Sequence, residues 1–423
     1  MPPLLLEKSA LTLGAAMLGG ATLGVTSAGA AAVIGGCAVG ITAGFLQRLK
    51  LQRASVWCLL FLVYTLISGI LFGGLTSIKN ASFMTWIGNE GRVFLYYWPA
   101  LFVLEAACPS DRGVTRVMRG LTLIVFLNTL LSSATGFSTF GTHHAAGAFA
   151  AMLVIYQVFR YGKTRDLGDL MFLSLALVSL LGSNSRTALL AVLVSIFFVS
   201  VSFRRIKQLV ALVLVAPLGL IAMAFVFPYQ FERLQDAANV DTFQAVQDNF
   251  SLAYRSNSPI EVGKAWELSE TISLNGNANL AIRGYLFGRT FGEFSRSPIV
   301  GIGFGRINDI GRSFSGTAGV FHPVTDATFA SPTDQTAHNS YLQVLTELGL
   351  LGTLPLLALY TTLWRRLRSA RKRAPEWSKT GRASVICVCL MALTQHSFGA
   401  PIYGLSLFLL AVLSYRKATE ASD

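Results

Sequence analysis

One histidine and three arginines carry the chemistry that this chain's residue types allow. His338 stands where a polar stretch turns into the apolar segment 336–364. Pro332 and Asp334 or Thr336 supply stop and cap residues just before it, which predicts a helix with His338 in its first turn. The positive end of a helix disfavours an imidazolium, so the ring stays neutral. A neutral imidazole can take a proton from an attacking hydroxyl, the work of a general base. The position equally suits a helix-entry histidine hydrogen-bonded at a membrane interface. Arg186, in SNSRTALL, lies between two apolar segments with almost no loop, where a guanidinium requires an anion. That anion is either a ligand or a loop carboxylate such as Asp241 or Asp334. Arg283 and Arg289 fall on different faces of one expected helix, so one of them points into any adjoining mouth. Planar guanidinium donors bind phosphate oxygens in pairs and stabilise charge on a departing phosphate. Lys79 and Arg92 are weaker candidates for the same work.

The elements that position these groups are apolar. Hydrophobic residues make up 53% of the 423 residues and charged ones 13%, and the mean hydropathy is +0.55. These values describe a polytopic, all-α membrane protein. Runs of spanning length occur near 10–26, 28–46, 54–74, 90–107, 115–134, 143–161, 167–183, 186–203, 206–227, 339–364, 383–397 and 401–416, about twelve helices. The Gly/Ala-rich start is one kinked span or two closely packed ones.

The net charge of +13 does not imply nucleic acid, because the cations sit in alternate short connections. Arg48, Lys50 and Arg53; Arg112, Arg116 and Arg119; Arg160, Lys163 and Arg165; Arg204, Arg205 and Lys207; and the run from Arg365 to Arg382 mark the cytoplasmic side. Both termini fall there, and the dense final run reads as an anchor against anionic lipid. All five histidines, His143, His144, His322, His338 and His396, then lie on the external side. Adjacent His143 and His144 diverge on a helix, and no HxxxH or HxxE pairing occurs, so no metal is expected. The five cysteines lack metal-type spacing and read as buried thiols.

The expected organisation is spans one to nine over 1–227, a large external loop over 228–336, and three spans with a short cytoplasmic tail over 337–423. Such a loop is too long for a connector. In its first half Phe231, Leu234, Ala238, Phe243 and Val246 recur at helical spacing and predict short surface helices. Further on, 278–296 reads as an amphipathic helix, followed by a stop at Ser297-Pro298 and the glycine turn GIGFG. That turn lacks the preceding strand of a dinucleotide site. Beyond His338, Tyr341 and Leu345 share its helical face, whereas Glu347 falls half a revolution away and about 13 Å deeper, a structural position.

Three segments together resemble one family. HNSYLQVLTELGLLG, 338–352, is similar to the HNxxLxxxxExGxxG signature of the O-antigen ligase and O-antigen polymerase superfamily. SNSRTALL resembles its Ser-x-Ser-Arg motif, and Arg283 to Pro298 followed by GIGFG resembles its third. The resemblance covers 183–352, while the first 140 residues match in hydropathy alone. It implies a GT-C-like glycosyltransferase with no cofactor, working at the periplasmic face of the bacterial inner membrane. The donor would be O-antigen on undecaprenyl diphosphate and the acceptor lipid A-core. His338 would be the base and Arg186, Arg283 and Arg289 the diphosphate donors, supported by Ser185, Asn339 and Tyr341. Within the superfamily a ligase fits best. A polymerase would use the same donor, but its Arg-x10-Gly pattern does not occur here. A protein O-oligosaccharyltransferase or a lipid-linked glycan transporter are the further alternatives.

Overall fold

The structure, a computed structural model, describes residues 53–71, 109–135, 143–200, 239–255, 278–304, 339–395 and 401–420. Among the described residues every regular element is a helix: α1 (Arg53–Leu71), α2 (Asp111–Thr135), α3 (His143–Thr164), α4 (Leu167–Gly182), α5 (Arg186–Ser200), α6 (Val240–Arg255), α7 (Ala278–Arg296), α8 (Ser340–Ser369), α9 (Pro375–Ala392) and α10 (Pro401–Glu420). α1, α2, α3 and α8 are long and apolar enough to cross a membrane. α4 and α5 are apolar but only 16 and 15 residues long, short of the ~30 Å hydrocarbon core at about 1.5 Å per residue. The chain is an α-helical membrane protein. The expected spans near 10–26, 28–46, 90–107 and 206–227 lie outside the described residues.

Two compact units divide the chain, and their boundaries fall within α1, after Val63, and within α8, after Thr353. The first unit comprises 1–63, 87–200 and 354–423, and α3 is its core. From Ala145 to Tyr156 the helix alternates Ala and Gly with Phe149, Met152, Leu153 and Ile155, and its side chains there are buried on every face. A helix apolar all round belongs inside a bundle, and α3 packs against α2, α4, α5, α9 and α10. At the charged end of this unit, Asp169 is 1% exposed. It accepts hydrogen bonds from Arg119 at 2.8 Å and Thr164 at 2.6 Å, with Arg160 at 3.5 Å. Glu376 pairs with Lys163 at 2.7 Å, and Lys417 with Asp111 at 3.3 Å. Several cations that read as topology markers thus also tie helices together.

The sequence predicts a span over 383–397 preceded by a cationic loop from Arg365 to Arg382. Instead α8 runs to Ser369 and α9 begins at Pro375, so only the turn between them is non-helical. Proline is pre-organised for a helix's first positions, and Ser378 Oγ ties α9 to the Leu367 carbonyl at 2.6 Å. The cations line the outer face, where Lys379 is exposed, while Trp377, Ser378 and Thr380 are buried.

The second unit comprises 64–86 and 201–353 and contains α6 and α7, which pack in parallel, Gly284, Gly288 and Gly292 meeting Val246, Phe250 and Tyr254 in the same order. Asn239 caps α6, its Oδ1 accepting the Asp241 N–H at 3.1 Å. Phe243, part of the expected surface helix, is 69% exposed and takes no part in the contact with α7. The buried face is instead Thr242, Ala245, Asn249 and Ala253. Phe231, Leu234 and Ala238 lie outside the described residues. The reason is on the partner helix: Gly284 and Gly288 sit directly over the Val246 and Phe250 carbonyls, so backbone meets backbone and no large ring fits between. Rings gather at the flank, where Tyr254 and Phe291 stand with centroids 5.9 Å apart.

The glycine ladder generates a contrast. A methyl at Gly288 would overlap the Phe250 carbonyl, whereas one at Gly292 would meet nothing nearer than 3.8 Å. Gly288→Ala should destabilise by about 1–3 kcal/mol, and Gly292→Ala should be neutral or stabilising by up to about 1 kcal/mol. Thermal unfolding of the two purified variants checks the ordering.

Candidate functional site

α8 begins at Ser340, with Asn339 as its cap: Asn339 Oδ1 accepts the Leu342 N–H at 3.0 Å, and its carbonyl accepts the Gln343 N–H at 3.0 Å. This corrects the expected helix start. Pro332, Asp334 and Thr336 are too far upstream to cap this helix, and position 338 precedes the cap rather than belonging to the first turn. His338 itself lies outside the described residues. Asn339, expected as support for the base, has its side-chain oxygen committed to the helix end. Tyr341 is half-buried in the first turn.

Two turns on, the helix breaks. Gly349 has φ 60° and ψ −166°, a conformation open essentially to glycine alone. The break frees carbonyls before it and N–H groups after it, each costing several kcal/mol if left unpaired in a membrane. The segment from Pro298 to Gly303 supplies the partners. Ile302 and Gly303 N–H groups donate to the Thr346 and Glu347 carbonyls at 2.9 and 3.0 Å. Leu350 and Leu351 N–H groups donate to the Pro298 and Ile299 carbonyls at 2.9 and 3.0 Å. Gly301, at φ 78°, lies against the Glu347 carbonyl, so both chains need glycine where they meet. From α1, Tyr64 donates to the Val300 carbonyl at 2.9 Å. Glu347 is 1% exposed and receives Gln343 Nε2 at 3.4 Å. The GIGFG turn is therefore a backbone clip: the N–H of Gly301 donates to Ser297 O at 3.0 Å and those of Ile302 and Gly303 to α8, leaving none of the three to cradle a phosphate. Sequence reading placed both glycine motifs but not their pairing. The available signal was LGLLG inside an apolar run, where two glycines interrupt good helix formers.

The clip also orients the arginine helix. Thr346 Oγ1 donates to the Thr290 carbonyl at 3.0 Å. Thr290 and Pro298 meet Thr346 and Leu350 in the same order, so α7 and the first half of α8 run in the same direction. Burial pulls the Arg283 guanidinium below the ordinary arginine range, and among the described residues no carboxylate pairs with it. Arg289 is buried too, but Glu293 faces it at 3.4 Å and also takes Arg296 at 3.0 Å. Burial pushes the Tyr285 hydroxyl up to about 12, against the opposing pull of Arg289.

Arg186 belongs to the first unit. Ser183 closes α4, its Oγ donating to the Leu180 carbonyl at 2.7 Å and accepting the Ser185 N–H at 3.3 Å. Asn184 takes the left-handed conformation at φ 55°, which asparagine tolerates. Ser185 is buried against Gly147 of α3, and Thr394 donates to Thr187 at 3.2 Å. The turn is thus gripped from two sides, leaving Arg186 half-exposed as the first residue of α5. Among the described residues no group of three or more His, Cys, Asp or Glu is arranged to hold a metal ion. His143 and His144 lie in the first turn of α3, while His322 and His396 lie outside the described residues.

A polytopic helical membrane protein with a broken helix, a glycine clip and a desolvated arginine is the class these features define. Residues 171–357 match the family model described as O-antigen ligase, so this stretch of the chain is similar to the O-antigen ligase superfamily. No curated protein matches the chain.

Gly349→Ala and Gly301→Ala each force a side chain into the opposing backbone. Both should lower the unfolding temperature and abolish function together, because the strain of about 1–3 kcal/mol adds to lost hydrogen bonds. Gly162→Ala in α3, with open space around it, is the control that should leave the unfolding temperature unchanged.

Proposed function

We propose that this protein is an O-antigen ligase, which transfers O-antigen glycan from undecaprenyl diphosphate to lipid A-core at the periplasmic face of the bacterial inner membrane. The architecture is GT-C-like with about twelve spans, both termini are cytoplasmic, and 228–336 forms the periplasmic loop. The observation that carries the reading is Arg283: it is half-buried on α7, and no carboxylate among the described residues neutralises it. Such a cation is best satisfied by an anion that arrives with substrate.

In this mechanism His338 takes the proton from a sugar hydroxyl of the acceptor. The oxygen attacks the anomeric carbon from the side opposite the diphosphate, so the new glycosidic bond forms with inversion as the bond to diphosphate breaks. Arg283 and Arg186 stabilise the charge growing on the departing diphosphate. Arg289 serves this role less, because Glu293 already compensates it. Ser185 supports Arg186 through the turn, Tyr341 supports His338, and Asn339 contributes by capping the helix that follows His338. No metal or nucleotide takes part. A broken helix also occurs in transporters, where the freed groups line a cavity. Here protein backbone takes up four of those groups, which favours transfer over transport.

Purified protein reconstituted with polyprenyl-diphosphate O-antigen and lipid A-core should yield ligated lipopolysaccharide. Chain extension without lipid A-core would assign a polymerase instead. His338→Ala should lower the rate by about 10²–10⁴-fold while the donor still binds. Arg283→Ala should cost about 10²–10³-fold, and Arg289→Ala distinctly less. Equal losses at the two arginines would remove Arg283 from the donor site, and a reaction stopped by chelator and restored by metal would contradict the metal-free step.

A further inference from the structure

We propose that the corner between α8 and α9 is a binding site for the headgroup of an anionic phospholipid, formed by Arg368, Arg371 and Arg382. The proposal is independent of the transfer reaction and rests on charge accounting within the first unit. Asp166 and Asp169 face Arg119, and Asp169 also faces Arg160. Glu376 faces Arg160 and Lys163, while Asp111 and Glu420 share Lys417. These carboxylates are taken, and among the described residues none reaches Arg368, Arg371 or Arg382. The three arginines nevertheless share one corner: Arg382 lies over Trp364, Arg368 stands one turn beyond Trp364 on α8, and Arg371 follows in the turn, with Arg371 and Arg368 acting on Arg382 as like charges. Three guanidiniums gathered at one corner favour an anion among them.

The site is built rather than merely charged. The Arg382 guanidinium lies over the Trp364 ring, 5.9 Å from its centroid, and its Nε donates to the Ser378 carbonyl at 3.2 Å. These contacts fix the plane of the group and leave its outer nitrogens for a ligand. Arg368 is exposed one turn beyond Trp364 on the same face of α8, and Arg371 is exposed in the turn that follows.

The membrane is the source that fits. Leu354 and Leu357 of α8 are 58% and 50% exposed, and Leu357 lies two turns before Trp364 on its face. Along that one face the helix passes from outward leucine to tryptophan to arginine, the order of acyl chain, interface and phosphate in a leaflet. A phospholipid would lay a chain along Leu357 and its phosphate among the arginines. A soluble anion would gain nothing from the leucines.

Detergent-purified protein, titrated with phosphatidylglycerol or phosphatidylcholine and read by native mass spectrometry and thermal unfolding, tests the site. Phosphatidylglycerol should bind about tenfold or more tighter than phosphatidylcholine and raise the unfolding temperature. The double variant Arg368→Gln/Arg371→Gln should bring both lipids to equal affinity without lowering the lipid-free unfolding temperature, since it relieves repulsion. Arg382→Gln should do the same to lipid preference; if it fails to fold, the double variant decides. Equal binding of the two lipids by wild type, or an undiminished preference in the double variant, overturns the proposal. So does displacement of phosphatidylglycerol by millimolar inorganic phosphate, which would mean a free-anion site. Tighter binding of a polyglutamate peptide than of phosphatidylglycerol would assign the corner to a protein partner and likewise overturn it.

Discussion

A helix interrupted in an apolar setting must find partners for the peptide groups it releases. In the second unit this requirement organises what lies around it. Gly349 breaks α8, and the Pro298–Gly303 segment accepts and donates the hydrogen bonds that the break sets free. Two of the three motifs behind the family resemblance are therefore halves of one object, since the glycines of the turn exist to meet the glycine of the helix. α7 leads into this turn at Ser297, whose Oγ donates to the Gly301 carbonyl at 2.8 Å. The helix carrying Arg283 is consequently anchored at its lower end by the clip and along its length by Thr346. Its position depends on backbone pairing rather than on any salt bridge of its own.

The two units solve their packing differently. In the first, α3 is apolar on every face from Ala145 to Tyr156 and surrounded by five helices, so van der Waals contact dominates. Ion pairs close the charged end, and the Ser183–Ser185 turn closes the other. In the second unit, α6 and α7 approach through glycine, threonine, alanine and asparagine, with aromatic rings pushed to the side. Close backbone approach replaces side-chain bulk there, which makes the pair sensitive to single methyl groups.

The helices were legible because spanning runs are long and apolar, and eight of the expected spans coincide with described helices. Boundaries were less so where charge was taken for loop: the cations from Arg365 to Arg382 sit on helix because only their tips need water, while the stem side of α9 packs inward. The helix α6 was legible from its apolar spacing, but its contact face was not, because it is set by the glycines of its partner, which exclude large side chains. The break in α8 was not legible because 339–364 reads as one apolar span; the partner of the break is a segment about fifty residues earlier, and periodicity carries no such long-range information. Likewise the cap was sought among Pro332, Asp334 and Thr336, while Asn339, inside the signature itself, performs it. For the proposed site, the residue types come from the sequence. The different circumstances of Arg283 and Arg289 do not, because they depend on Glu293 one turn beyond the latter.

The clip has a consequence for how the chain is made. Residues 298–303 leave the ribosome before 346–351, so the partners for the interrupted helix have been synthesised by the time it emerges. The broken geometry can then form as α8 settles, with no interval in which bare peptide groups face lipid. Reversing the order of these two segments would preserve every contact in the finished protein and yet expose the break during insertion. The arrangement of motifs along the chain is in this sense a schedule as well as a sequence.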